Sequence, residues 1–94
     1  YNISPQDVEK TVLEHPSVAE CAIIGIADEA RGKIVSACIV LNAGYDENDA
    51  TKGSIQDYVK QTIAPYKYPR DIRFSKSLPR TSTGKIQRFR LLND

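Results

Sequence analysis

The run Leu78-Pro79-Arg80-Thr81-Ser82-Thr83-Gly84-Lys85-Ile86 presents one lysine behind a proline, hydroxyl residues and a glycine. A lysine on so small and bendable a loop can reach out as a point charge toward a phosphate or a carboxylate. Electrostatic stabilisation of that kind dominates phosphoryl and acyl-phosphate chemistry. Residues 67 to 90 hold eight Lys or Arg and one acid, Asp71, whereas residues 1 to 66 hold five basic residues against ten acids. The net charge of +1 therefore conceals an acidic body and a basic C-terminal end. That asymmetry points to an anionic ligand.

Other residues compete for the role. Thr83-Gly84-Lys85 resembles the end of a phosphate-binding P-loop. Pro79, however, stands where its first glycine should be, and Ile86 replaces the required Ser or Thr, which removes that option. Tyr66-Lys67-Tyr68-Pro69-Arg70 interleaves aromatics with cations and can stack a base while holding phosphates, or can equally be a Tyr-Pro loop packed on a core. Arg31 and Lys60 are weaker candidates, since a lone cation is by default a solvated surface charge. His15 stands at the expected end of a helix, where a cation is favoured by the dipole and by unpaired carbonyls. It has no partner for base catalysis, so capping and packing is its expected role. Cys21 and Cys38 lack CxxC spacing and have one histidine in the chain to help them, so no metal site is expected. Two buried thiols of a cytoplasmic protein are the better reading.

The elements that must position these residues follow from pattern. Ninety-four residues make one small domain with a modest core. The longest apolar run is far too short to cross a membrane. Ser4 can cap a helix with Pro5 at its first position and Asp7 in its first turn, running near 5–14 with Val8, Val12 and Leu13 as its apolar stripe. Val18 to Ala27 and Lys33 to Leu41 are β-branched runs around a polar turn, which predicts an antiparallel hairpin over 18–41 with Cys21 and Cys38 near each other across it. Asn42 to Lys52 reads as loop. A second helix is expected near 54–64, with Ile55, Tyr58, Val59, Thr62 and Ile63 facing inward, then a short strand near 71–75 and a short C-terminal helix over 86–92. The sum is an α+β fold: a small antiparallel sheet carrying helices.

Together these stretches resemble the C-terminal domain of the adenylate-forming (AMP-binding) enzymes, which include acyl-CoA and aryl-CoA synthetases, adenylation domains of peptide synthesis, and luciferase. The likeness rests on Tyr1-Asn2-Ile3-Ser4-Pro5, His15-Pro16-Ser17-Val18-Ala19-Glu20-Cys21-Ala22, Gly25-Ile26-Ala27-Asp28 followed by Arg31-Gly32, Ala64-Pro65-Tyr66-Lys67-Tyr68-Pro69-Arg70, and the Lys85 run. Their order covers nearly the whole chain, and the wording at 64–70 and at Gln87-Arg88-Phe89 is most like medium-chain or aromatic acyl-CoA synthetases.

The resemblance implies a two-step ligase. A carboxylate attacks the α-phosphate of ATP, carried with Mg2+, to give acyl-adenylate and pyrophosphate; the thiol of coenzyme A then displaces AMP. Lys85 matches the family's adenylation lysine, which contacts ATP and the carboxylate. Tyr1, Arg31, Lys60, Tyr68, Pro69 and Arg70 match positions that bind CoA, with Tyr66 as a stacking surface beside them, on a second face exposed when the domain rotates. Asn2 stands where many members have an arginine contacting ATP phosphates, a departure that puts this contact in question. In acetyl-type members the His-Pro loop binds a metal ion, a role not expected of His15. The implied partner is the chain's own large N-terminal adenylation domain, absent from residues 1–94, without which the domain should be inactive. A lysine acetyltransferase acting on Lys85 would switch the parent enzyme off by removing its charge. Two alternatives remain at this stage: an adenylation domain that loads a carrier-protein pantetheine and, remotely, a small nucleic-acid-binding module.

Overall fold

The computed structural model describes residues 4–30, 32–65 and 68–93. Helix α1 (Pro5–Leu13) leads into strands β1 (Val18–Asp28) and β2 (Gly32–Leu41), then helix α2 (Asp49–Thr62), strand β3 (Asp71–Phe74) and a 3-10 helix, Arg88–Asn93. The expected cap holds: the Ser4 side chain accepts from the Asp7 N–H, with Pro5 in the first turn. Val8 and Val12 are buried, but Leu13 is 45% exposed and lies off the stripe, its place taken by Thr11.

The sheet has the order β1-β2-β3. β1 and β2 form the expected antiparallel hairpin, from Val18 opposite Leu41 to Asp28 opposite Gly32. β3 runs parallel to β2, Ser36 opposite Asp71 and Ile39 opposite Phe74, so the sheet is mixed rather than antiparallel throughout. Connectivity is the reason. Between β2 and β3 the chain makes one return, through α2, and a strand–helix–strand crossover delivers the second strand parallel to the first.

α2 starts at Asp49, five residues before the expected Ser54, because the Asn48 side chain accepts from the Thr51 N–H at 2.9 Å and caps it. Its first turn buries nothing and shows no apolar period. Ile55 and Val59 face the core as expected, whereas Thr62 is exposed. The C-terminal segment is a 3-10 helix, shorter than the expected 86–92, because Ile86 is drawn into an isolated bridge with Arg80.

Strand alternation divides the core between two faces. Cys21, Ile23, Ala37, Ile39 and Ile72 point to the face covered by α1 and α2, where Val8, Val12, Ile55 and Val59 meet them. Ala22, Ile24 and Cys38 point to the other face, covered by a C-terminal arm (78–93) that contributes Leu78, Ile86 and Leu91. Cys21 opposes Ile39, and Cys38 opposes Ala22. The two buried thiols thus lie near each other across the hairpin as expected, one register step apart, but on opposite faces of the sheet and not joined in a disulfide.

Candidate functional site

The arm builds a closed turn around Lys85. Arg80 bridges to Ile86, the Gln87 N–H reaches the Pro79 carbonyl at 2.8 Å, and the Gly84 N–H reaches the Thr81 carbonyl at 2.9 Å. Lys85 is held at both peptide groups by one residue: its carbonyl accepts from the Thr81 N–H at 2.8 Å, and its N–H donates to Thr81 Oγ1 at 3.1 Å. Gly84 reaches a φ of 90°, a region open to glycine and strained for other residues, and this lets the turn close. The Lys85 side chain is exposed, and no carboxylate among the described residues lies within ion-pair distance of it. The root is fixed and the charged head is uncommitted, which suits a cation meant to meet an anion brought by another body.

A second cluster lies on the helix face. The Lys60 ammonium sits 4.3 Å from the centroid of the Tyr68 ring, and the Arg70 guanidinium carbon 4.9 Å from it. Arg70 Nη1 also donates to the Tyr68 hydroxyl at 2.8 Å, while Tyr68 packs against the core. Lys60 is further drawn to Asp57, 4.0 Å away. Attraction of a cation to a ring face is modest, about 0.5–2 kcal/mol, yet it holds two like charges beside one apolar platform. Such a platform fits a phosphate-bearing ring ligand. Pro69 belongs to this stretch, but its side chain is fully buried and its carbonyl accepts from Gln56 Nε2 at 3.0 Å. It shapes the loop from within. Lys60, Tyr68 and Arg70 are thus brought together; Tyr1, Asn2, Arg31 and Tyr66 lie outside the described residues.

The two clusters occupy opposite ends of the sheet as well as opposite faces. The Arg70 N–H donates to the Val35 carbonyl, whereas Arg80 pairs with Glu20, which stands opposite Val40. Five residues of β2 separate these positions, roughly 16 Å along the strand.

Sequence reasoning missed the acids that answer the basic arm. Arg80 pairs with Glu20 at 2.6 Å and Arg88 with Glu9 at 2.8 Å; Arg73 pairs with Asp71 and Lys76 with Glu47. Much of the charge asymmetry along the chain is therefore neutralised within the fold and does not await a ligand. Apart from Arg73 and Asp71, two residues apart on one strand, no local signal marks these pairs, which join residues as far apart as 9 and 88; the complementary charge of the two halves was the available hint.

His15 is also corrected. Its Nδ1 accepts from the Ser17 N–H at 3.1 Å, which fixes the neutral tautomer with the proton on Nε2, and Nε2 donates to Ser54 Oγ at 2.9 Å. Burial lowers its pKa from the ordinary 6.5. The ring also packs edge-on against Tyr58, 5.8 Å between centroids, so it ties α1 to α2 as a neutral group rather than capping α1 as a cation.

Residues 7–85 match the family model described as the AMP-binding enzyme C-terminal domain. The chain belongs to that family. Its relatives include the mitochondrial acyl-coenzyme A synthetase ACSM3 of Mus musculus, 47% identical over 97% of this chain and 16% of the relative. Among solved structures, an acyl-CoA synthetase from Brucella canis superposes with a TM-score of 0.94 at 40% identity, covering 99% of this chain and 17% of that one. A benzoate CoA ligase from Burkholderia xenovorans LB400 gives 0.85 at 40% identity over 94% and 18%. The chain therefore spans about a sixth of the length of these relatives. No helix among the described residues is long and apolar enough to cross a membrane.

Proposed function

We propose that this chain is the mobile C-terminal domain of an AMP-forming acyl-CoA synthetase, and that its two cationic sites serve successive half-reactions. In the first, a carboxylate oxygen attacks the α-phosphorus of ATP, supplied as its Mg2+ complex, and the bond to pyrophosphate breaks. Two anions must meet, and the Lys85 ammonium between them offsets their repulsion and orients the attack. In the second, the CoA thiolate attacks the acyl carbon and AMP leaves. Lys60, Tyr68 and Arg70 hold the CoA nucleotide and its phosphates, with Pro69 shaping their loop from within; Arg31, Tyr66 and Tyr1 are the further residues assigned to CoA binding.

The observation that carries this reading is the placement of a backbone-fixed Lys85, without a carboxylate partner among the described residues, on one face and a cation platform on the other. A rotation of the domain against its N-terminal partner exchanges them. The named relatives are CoA ligases, which favours CoA over a carrier-protein thiol, and a medium-chain or aromatic acid is the proposed substrate. Buried thiols without a disulfide suit a reducing compartment such as the cytoplasm. Lys85, exposed and unpaired, is also open to a lysine acetyltransferase. The isolated domain lacks the acid pocket and should have no synthetase activity.

The deciding experiment separates the half-reactions in the full-length enzyme. Lys85→Ala should lower acid-dependent pyrophosphate exchange on the order of a hundredfold to a thousandfold, while thioester formation from supplied acyl-adenylate and CoA survives. Equal loss of both steps would refute the assignment.

A further inference from the structure

We propose that Arg80 is a positioning residue for Lys85, one guanidinium shared between the sheet and the loop, with Glu20 as its anchor. This rests on Lys85 acting in the adenylation step. Arg80 Nη2 and Nε donate to Glu20 Oε1 at 2.6 and 3.3 Å, while Nη1 donates to the Gly84 carbonyl at 2.8 Å. Glu20 belongs to β1 and stands opposite Val40, so the guanidinium ties the loop to the sheet.

The Gly84 carbonyl belongs to the peptide unit that precedes Lys85. Thr81 secures the other contacts of this turn, holding the Lys85 N–H, the Lys85 carbonyl and the Gly84 N–H. The Gly84 carbonyl takes its donor from Arg80 instead, and glycine at φ 90° is the residue most able to turn that peptide over. Arg80 removes that freedom. Both acceptors of Arg80 are internal, so it is committed to the loop and does not serve as a further phosphate cation. A planar fork can satisfy two acceptors in different directions; a lysine ammonium on a flexible stem holds such a geometry less well.

Misplacing a catalytic group by about 1 Å costs on the order of a hundredfold in rate. In the full-length enzyme, Arg80→Ala should therefore lower the adenylation rate by about tenfold to a hundredfold. Thioester formation from supplied acyl-adenylate should be unchanged. Arg80→Lys should keep most of that loss, and Glu20→Gln should cost about threefold, as expected for a half-exposed ion pair. Because Arg80 acts through Lys85, adding Arg80→Ala to Lys85→Ala should lower the residual rate by less than about twofold.

Additive losses in that double variant, equal loss of both half-reactions, or wild-type adenylation in Arg80→Ala would each overturn the role of Arg80 while leaving Lys85 in place. Adenylation surviving in Lys85→Ala alone would overturn both. If Arg80→Ala fails to fold, as a melting curve would reveal, Arg80→Lys carries the same comparison.

Discussion

The Lys85 loop and the Lys60–Tyr68–Arg70 platform are both cationic, yet they are built by opposite means. At Lys85 the fixed contacts are made to its peptide groups, and its ammonium meets no carboxylate among the described residues. In the platform, the charges themselves are engaged, with a ring, a hydroxyl and a neighbouring carboxylate, while the backbone is ordinary. A cation needed for one step must arrive aligned and without a competing partner. A cation that holds a ligand can rest on an aromatic surface until the ligand replaces it. The difference is legible in which atoms carry the hydrogen bonds.

Lys85→Ala is the sharpest way to break this comparison, with adenylation expected to fall on the order of a hundredfold to a thousandfold, as when a preorganised oxyanion donor is removed. Stopped assays of pyrophosphate exchange would measure it. Tyr68→Ala should act on the other site alone: loss of the ring under two cations should raise the CoA KM by about tenfold, with pyrophosphate exchange unaffected. A Tyr68 variant that slows exchange instead would merge the two sites into one.

A smaller effect tests the loop's backbone. At Gly84 an added Cβ would meet no atom within 4 Å, so Gly84→Ala isolates the strain of positive φ, about 1 kcal/mol. Adenylation should fall by about fivefold, and thioester formation should stay unchanged. His15 gives the smallest effect. Its folded pKa is lowered, so the unfolded chain binds the extra proton first, and stability present above pH 6.5 is lost as the pH falls from there through the folded pKa. The melting temperature should drop across that window, and His15→Gln should flatten the drop.

Much of this was readable in the residues. Ser4-Pro5 marked the first helix, β-branched runs marked the hairpin, and the glycine–lysine run marked the closed turn that carries Lys85. What escaped was set by distance. The parallel pairing of β3 depends on a crossover and not on the four residues Asp71–Phe74 themselves. The early start of α2 depends on Asn48, whose cap precedes a turn with no apolar side to reveal it. Glu20 looked like one acid among many until the fold set it beside Arg80. Tyr68 was open between stacking a base and packing, and the structure shows the packing, with Lys60 and Arg70 gathered at the ring.

One feature of α1 reaches beyond either site. β1 is an edge strand of eleven residues, and an unpaired row of that length is a template on which another chain can add a strand. Glu9 closes it at mid-length: its Oε1 accepts from the outward Ile23 N–H at 3.2 Å, and Arg88 locks the carboxylate at 2.8 and 3.1 Å. A charged side chain lies where an aggregating partner would have to pair. The same carboxylate thus blunts the edge of the sheet as well as tying α1 to the C-terminal arm.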